Sequence, residues 1–173
     1  MDDELIEKAK KGSKRSFMKL AEELKLQMYK TAFVQLRNEQ DALDAVQEAL
    51  IKAFQNIKNL KQNQFFKSWI LRILLNECHN IQRYNKKVVL MERESMVQKE
   101  YSMQCSFETV EIYSVLCRME DIYKEVINLR YNHDLKLEEI SKVLDVPVGT
   151  VKSRLNRAHA VFKQQFLKEE ALS

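Results

Sequence analysis

The sequence predicts an all-α fold: two small helical bundles joined by a flexible linker, with a helix-turn-helix in the second. Three observations predict it. Gly and Pro together supply three of 173 residues, against an average of about 12%. Sandwiches and barrels need many turns built from such residues, so they are excluded. Apolar residues recur at spacings of three and four along most of the chain, which is the period of a helix with one buried face. That pattern is lost between about 86 and 108 and then returns, which separates two bundles. The implied division is 1–85, a linker over 86–108, and 109–173.

Leu5, Ile6 and Ala9 open the first helix, and Gly12-Ser13 interrupts it. Phe17, Leu20, Ala21, Leu24, Met28 and Ala32 carry a second. Residues 38–41 read as a turn, with Asp41 as the N-cap of the next helix, roughly 41–58. That helix has an apolar stripe of Val46, Leu50, Ala53, Phe54 and Ile57. Asp41, Asp44 and Glu48 stack on another face, and Lys52 offers Glu48 an ordinary surface pair. Acidic bias near a helix N-terminus accounts for the same residues without any partner.

Residues 59–66 read as a loop. A helix over about 66–85 follows, with Phe66, Trp69, Ile70, Ile73, Leu74 and Ile81 on its apolar side and Lys67, Arg72, Asn76, Asn80 and Arg83 elsewhere. Beyond the linker, Val110, Tyr113, Leu116 and Cys117 suggest one helix. Ile122, Val126, Ile127, Leu129 and Arg130 suggest another. Asn132-His133-Asp134 is a turn, and His133 and His159 read as surface residues.

The stretch 137–162 has helix-turn-helix spacing. Its first helix buries Ile140, Val143 and Leu144, and its turn buries Val146 and Val148. Thr150 is the expected N-cap of the second helix, which points Val151, Leu155 and Ala158 inward. Lys152, Ser153, Asn156 and Arg157 then point outward near the end that enters a major groove in this motif. Arg and Lys pair with guanine and Asn with adenine, while Ser, Thr and the helix N-terminus suit phosphate.

Net charge is only +4, but it is unevenly spread. Residues 61–91 hold six Lys or Arg against one acid, and residues 146–168 hold five and no acid. Two basic segments on an otherwise acidic chain suit two contacts with a polyanion. Solvated helix faces are the plain alternative. Cys78, Cys105 and Cys117 are odd in number and lack metal-knuckle spacing. Gly12 and Gly149 lie too far apart for a phosphate-binding loop. No catalytic constellation, metal site or cofactor motif is present, and Glu77-Cys78-His79 point in different directions on a helix. The acidic start lacks the features of a signal peptide, and the run Trp69–Leu75 is short and broken by Arg72. The expectation is a cytoplasmic binding protein with no small-molecule substrate.

Residues 145–158 (Asp-Val-Pro-Val-Gly-Thr-Val-Lys-Ser-Arg-Leu-Asn-Arg-Ala) resemble the region-four motif of bacterial extracytoplasmic-function sigma factors, and residues 121–131 resemble the helix before it. Asp44-Ala-Val-Gln-Glu48 with Ile51-Lys-Ala-Phe54 is similar to the family's polymerase-binding helix. Phe66-Lys-Ser-Trp-Ile-Leu-Arg-Ile73 and Asn76 are similar to its promoter-melting helix. The resemblance covers about 1–85 and 109–168.

It implies minus-35 recognition by Thr150, Lys152, Ser153, Arg154, Asn156 and Arg157. It implies capture of the minus-10 strand by Asn63, Phe65, Arg72, Asn76, Asn80 and Arg83. It places Asp41, Asp44, Gln47 and Glu48 against the β′ clamp helices of core RNA polymerase, and implies an anti-sigma factor, soluble or membrane-bound, as a further partner. A two-domain repressor or activator using 137–162 is the alternative, but it has no use for the first bundle's acidic and basic helices. Lys136 stands where the family often has a Ser or Thr cap, a loss of about 1 kcal/mol unless Asp134 substitutes. Asp145 stands where Gly is common in a left-handed cap. The loop 61–66 lacks the family's usual Gly and acidic residues.

Overall fold

The computed structural model describes residues 2–91 and 115–170. The chain divides into two units, Met1–Lys99 and Glu100–Ser173. Most of the expected linker, and the expected helix up to residue 114, lie outside the described residues.

In the first unit, α1 (Asp3–Lys10) is capped by Asp2, whose carboxylate accepts from the Glu4 and Leu5 N–H groups. Gly12 takes a φ of 95°, a left-handed turn that other residues resist. Ser13 then caps α2 (Lys14–Leu36), its hydroxyl accepting from Ser16 N–H. Ile6, Ala9, Leu20, Met28 and Ala32 have no exposed surface. They pack α1 on α2, and α2 on α3 (Glu39–Asn56) and α4 (Phe66–Met91). The Phe17 and Phe54 rings meet at 5.2 Å between centroids.

The N-cap of α3 is Asn38, not Asp41. Asn38 holds extended backbone angles, and its side-chain oxygen accepts from Asp41 N–H at 2.9 Å. The helix therefore begins two residues earlier than expected. Helix α4 continues six residues past the expected end. Residues 83–87 are exposed, so burial does not carry that stretch, and Asn85 Nδ2 within it donates to Asp41 Oδ2 of α3 at 2.9 Å. Leu71 and Leu75 join its buried side, while Trp69, Ile73 and Ile81 are only half-buried.

In the second unit, residues 115–118 form a helical turn ahead of α5 (Asp121–Ile127). Ile122, one of the residues whose spacing suggests this helix, is 40% exposed. Helix α5 widens into a π turn, Asn128–Asn132, closed by His133 N–H donating to Asn128 C=O at 3.3 Å. The extra residue per turn swings His133 and Leu135 inward. His133 is thus 2% exposed, against the surface position expected for it. Asp134 follows at a φ of 52°, and Arg130 Nη1 donates to Leu135 C=O at 2.9 Å, closing the connection.

Helix α6 (Leu137–Leu144) starts without a side-chain cap from Lys136 or Asp134. Glu139 Oε2 accepts from Lys136 N–H at 3.0 Å instead. Asp145 does adopt the left-handed conformation, with φ 55° and ψ 47°. Its N–H and that of Val146 both donate to Ser141 C=O, and Ser141 Oγ donates to Val146 C=O at 2.6 Å. Helix α7 (Val148–Glu170) begins immediately after Pro147. Thr150 is in its first turn rather than at its cap, because Pro147 C=O already accepts from Val151 N–H at 3.1 Å. Val146 and Val148 are half-buried rather than buried.

Candidate nucleic-acid interface

Helix α7 has one inward stripe. Val151 and Ala158 have no exposed surface, and Leu155 is buried with them, against α5 and α6. A helix fixed on that side must turn the residues between outward. Lys152, Ser153, Asn156 and Arg157 are exposed, with Thr150 and Arg154 half-buried at the edge. No acid occupies the first turn, so the positive end of the helix dipole is left uncompensated. Ser153 Oγ donates to Thr150 C=O at 2.9 Å, which orders that turn. Tyr131 braces the helix from the π turn, with its hydroxyl 2.7 Å from His159 Nε2. His159 itself is exposed, as expected.

Helix α4 carries a second outward face. Arg72, Asn76, Asn80 and Arg83 follow one another at spacings of four, four and three, and all are exposed. Trp69 lies one turn earlier on the same face, half-buried and 6.0 Å between centroids from Phe66. Arg83 Nη2 donates to Asn80 Oδ1 at 2.5 Å. Such a face offers cations for phosphates and amides for base edges.

The loop before α4 is tied down. It contains two short 3-10 turns, Ile57–Asn59 and Asn63–Phe65. Asn63 Nδ2 donates to Glu7 Oε1, and Lys10 Nζ donates to Asn63 Oδ1, each at 2.9 Å. These contacts hold the Glu7 carboxyl below its ordinary pKa, with the Asn63 hydrogen bond the largest cause and Lys10 next. Phe65 is half-buried, and its carbonyl accepts from Ser68 Oγ at 3.1 Å.

The outer face of α3 combines charge with apolar surface. Asp44, Gln47 and Glu48 are exposed. Asp41 is half-buried and accepts from Asn85 Nδ2 of α4 at 2.9 Å. Among them Leu43 and Ile51 are 46% and 44% exposed. Neither is among the site residues expected from the sequence, although Ile51 stands in the motif that carries the resemblance to the polymerase-binding helix. The signal was available: they sit eight apart, off the buried stripe, with Gln47 midway.

Sequence reasoning also missed Glu77, which is 8% exposed and 2.7 Å from Lys52 Nζ. The expected Lys52–Glu48 pair is present as well, at 3.4 Å. These carboxylates raise the Lys52 pKa, with Glu77 the larger cause. Among the described residues no group of His, Cys, Asp and Glu is arranged to hold a metal ion, and no helix is long and apolar enough to cross a membrane.

Residues 20–88 match the Sigma-70 region 2 family, and residues 109–160 match the Sigma-70, region 4 family. The chain is 31% identical over 163 residues to the RNA polymerase sigma factor SigV of Bacillus subtilis, covering 94% of this chain and 98% of that protein. It is 28% identical over 175 residues to the ECF RNA polymerase sigma factor SigW of the same organism, covering 92% and 94%. Among solved structures it is similar to a chain of the complex of CnrH with the cytosolic domain of CnrY. The TM-score is 0.71 at 23% identity, covering 92% of this chain and 93% of that one. A chain of the Bartonella quintana complex of the sigma factor RpoE with the anti-sigma factor NepR gives 0.73 at 22% identity, covering 87% and 97%. The matches define a helical transcription initiation factor of the sigma-70 type. The chain belongs to the extracytoplasmic-function subfamily of sigma-70 factors.

Proposed function

We propose that the protein is an alternative sigma factor: it binds core RNA polymerase and directs it to a two-element promoter. The observation that carries this reading is the presence in one chain of two exposed basic-and-amide faces, on α4 and α7, and an acidic face on α3. Residues 109–173 read the minus-35 element as duplex through Thr150, Lys152, Ser153, Arg154, Asn156 and Arg157. Residues 1–85 capture the minus-10 strand through Arg72, Asn76, Asn80 and Arg83, with Phe65 offering a ring to an unstacked base. Asn63 serves by holding the loop in place.

Asp41, Asp44, Gln47 and Glu48 meet the basic clamp helices of the polymerase β′ subunit, and Leu43 and Ile51 supply the apolar centre that such contacts need. The segment 86–108 links the two parts. The protein is a cytoplasmic initiation factor without a catalytic centre, sequestered by an anti-sigma factor that covers the DNA-facing surfaces. Core RNA polymerase plus the purified protein should start transcription at discrete genomic sites, mapped by run-off sequencing. Those sites should share two short elements upstream. Initiation without core, or none with it, rules this function out.

A further inference from the structure

We propose that Glu77 is a positioning residue that couples the outer face of α3 to the outer face of α4. The proposal rests on the reading of those faces as polymerase-facing and promoter-facing. A continuous run of polar contacts joins them. Glu48 Oε1 lies 3.4 Å from Lys52 Nζ. Lys52 Nζ donates to Glu77 Oε2 at 2.7 Å. Asn80 Nδ2 reaches that same oxygen at 3.5 Å, and Arg83 Nη2 donates to Asn80 Oδ1 at 2.5 Å. The run begins and ends on exposed residues and passes through a buried one, since Glu77 is 8% exposed while Glu48, Asn80 and Arg83 face solvent.

Packing alone does not call for a carboxylate at position 77. Ile70, Leu74 and Cys78 on the same helix are buried as well, and a hydrophobic side chain of similar volume often replaces a buried ion pair with no loss of stability. A buried carboxylate must instead keep its donors, and here both donors come from functional faces. Lys52 is shared between two acids, and its raised pKa has Glu77 as the largest cause and Glu48 as a smaller one.

The consequence has a direction. A basic partner that engages Glu48 takes that carboxylate from Lys52. Lys52 then turns wholly to Glu77 and competes with Asn80 for Oε2, where the Asn80 bond is already the longer one. The Asn80 amide N–H is thereby released from Glu77 to meet unpaired bases, while Arg83 keeps its bond to Asn80 Oδ1 and its longer one to His79 C=O. In the free protein the Asn80 amide stays folded against α4.

The test uses the full chain, core RNA polymerase and a promoter mapped by run-off transcription. Lys52→Met removes the ammonium and keeps the stem, and because it leaves the buried Glu77 carboxylate with one donor fewer, its melting curve is compared with that of Lys52→Arg so that any loss of folding is read separately. Its affinity for core should stay within about 2-fold of the parent protein. Promoter opening, read as permanganate reactivity of unpaired thymines, should fall about 5-fold, because Glu77 then holds Asn80 alone. Lys52→Arg should restore opening. In an Asn80→Ala background, Lys52→Met should have no further effect on opening. The coupling is overturned if Lys52→Met lowers opening equally in both backgrounds, or if core affinity and opening fall together. Failure of the parent protein to initiate at any site with core would instead overturn the underlying functional reading, and needs no variant to detect.

Discussion

Asn63 Nδ2 donates to Glu7 Oε1 at 2.9 Å across 56 residues of sequence, pinning the loop ahead of α4 to the first helix of the chain. The carboxylate is the better acceptor when ionised, so the contact lowers the Glu7 pKa from its ordinary 4.5. A depressed carboxyl pKa stabilises the fold above the unfolded value, and that contribution disappears as pH falls through the folded value. Asn63→Ala should therefore raise the Glu7 pKa towards 4.5, as read by NMR titration of its side-chain carboxyl. The difference in melting temperature between parent and variant should be largest at neutral pH. It should narrow as pH drops below that value. A gap that stays constant with pH would mean that the loop is held by something else.

Asp145 and Gly149 have the residue types one would expect to find exchanged. Asp145 holds a φ of 55° at the end of α6, a conformation that penalises a Cβ and suits glycine. Gly149 sits in the first turn of α7 without a positive φ, and a Cβ added there meets nothing within 4 Å. Asp145→Gly should stabilise the protein by about 0.5–1 kcal/mol. Gly149→Ala should add about 0.5 kcal/mol, less than in a helix interior. Chemical denaturation of each variant checks both. Loss of stability in Gly149→Ala would show that the backbone there is not helical.

These two positions also show how much of the fold is legible in the sequence. Helix spacing places Val151, Leu155 and Ala158 inward because burial repeats with the helical period, and the exposed set on α7 follows from it. The ends of elements are harder. Thr150 and Asp41 are good capping residues by type. Asn38 and Pro147 occupy the positions that the backbone needs, and nothing local distinguishes them in advance. His133 is buried because a π turn adds a residue to the helix before it, a register change that an apolar period does not reveal. Glu77 looks like one charge in a polar trio, and its partner Lys52 lies 25 residues away on another helix. The outer faces of α3 and α4 are legible as charge. The buried link between them depends on a tertiary contact.

Lys152 and Arg157 are both exposed on α7, one near its start and one a turn and a half further along. A residue that grips phosphate weakens binding to all sequences, whereas one that reads a base edge changes which sequence is preferred. Arg157→Ala should cost about 1–3 kcal/mol on the preferred minus-35 duplex and relax selectivity at one base pair. Lys152→Ala should weaken binding evenly across sequences and reduce the salt slope by about 1. Fluorescence anisotropy with a panel of duplexes at several salt concentrations separates the two. An even loss for Arg157→Ala would make it a phosphate contact.

Asp44 and Ile51 both lie on the outer face of α3, exposed, yet they would act at different stages of polymerase binding. An exposed charge at the rim of an interface mainly sets the association rate, and a desolvated apolar side chain mainly sets the lifetime. Asp44→Lys reverses a charge that, on the proposed reading, faces a basic surface. It should slow association with core about 10-fold at low salt and lose much of that effect as salt screens it. Ile51→Ala removes apolar contact and should speed dissociation with little salt dependence, at a cost of about 1–2 kcal/mol. Neither change touches α7, so the affinity of the full chain for a minus-35 duplex should stay the same. Surface plasmon resonance with immobilised core polymerase gives both rate constants. If either substitution weakens core binding and duplex binding together, it has disturbed folding; if both leave core binding unchanged, the outer face of α3 loses its assignment as the polymerase contact.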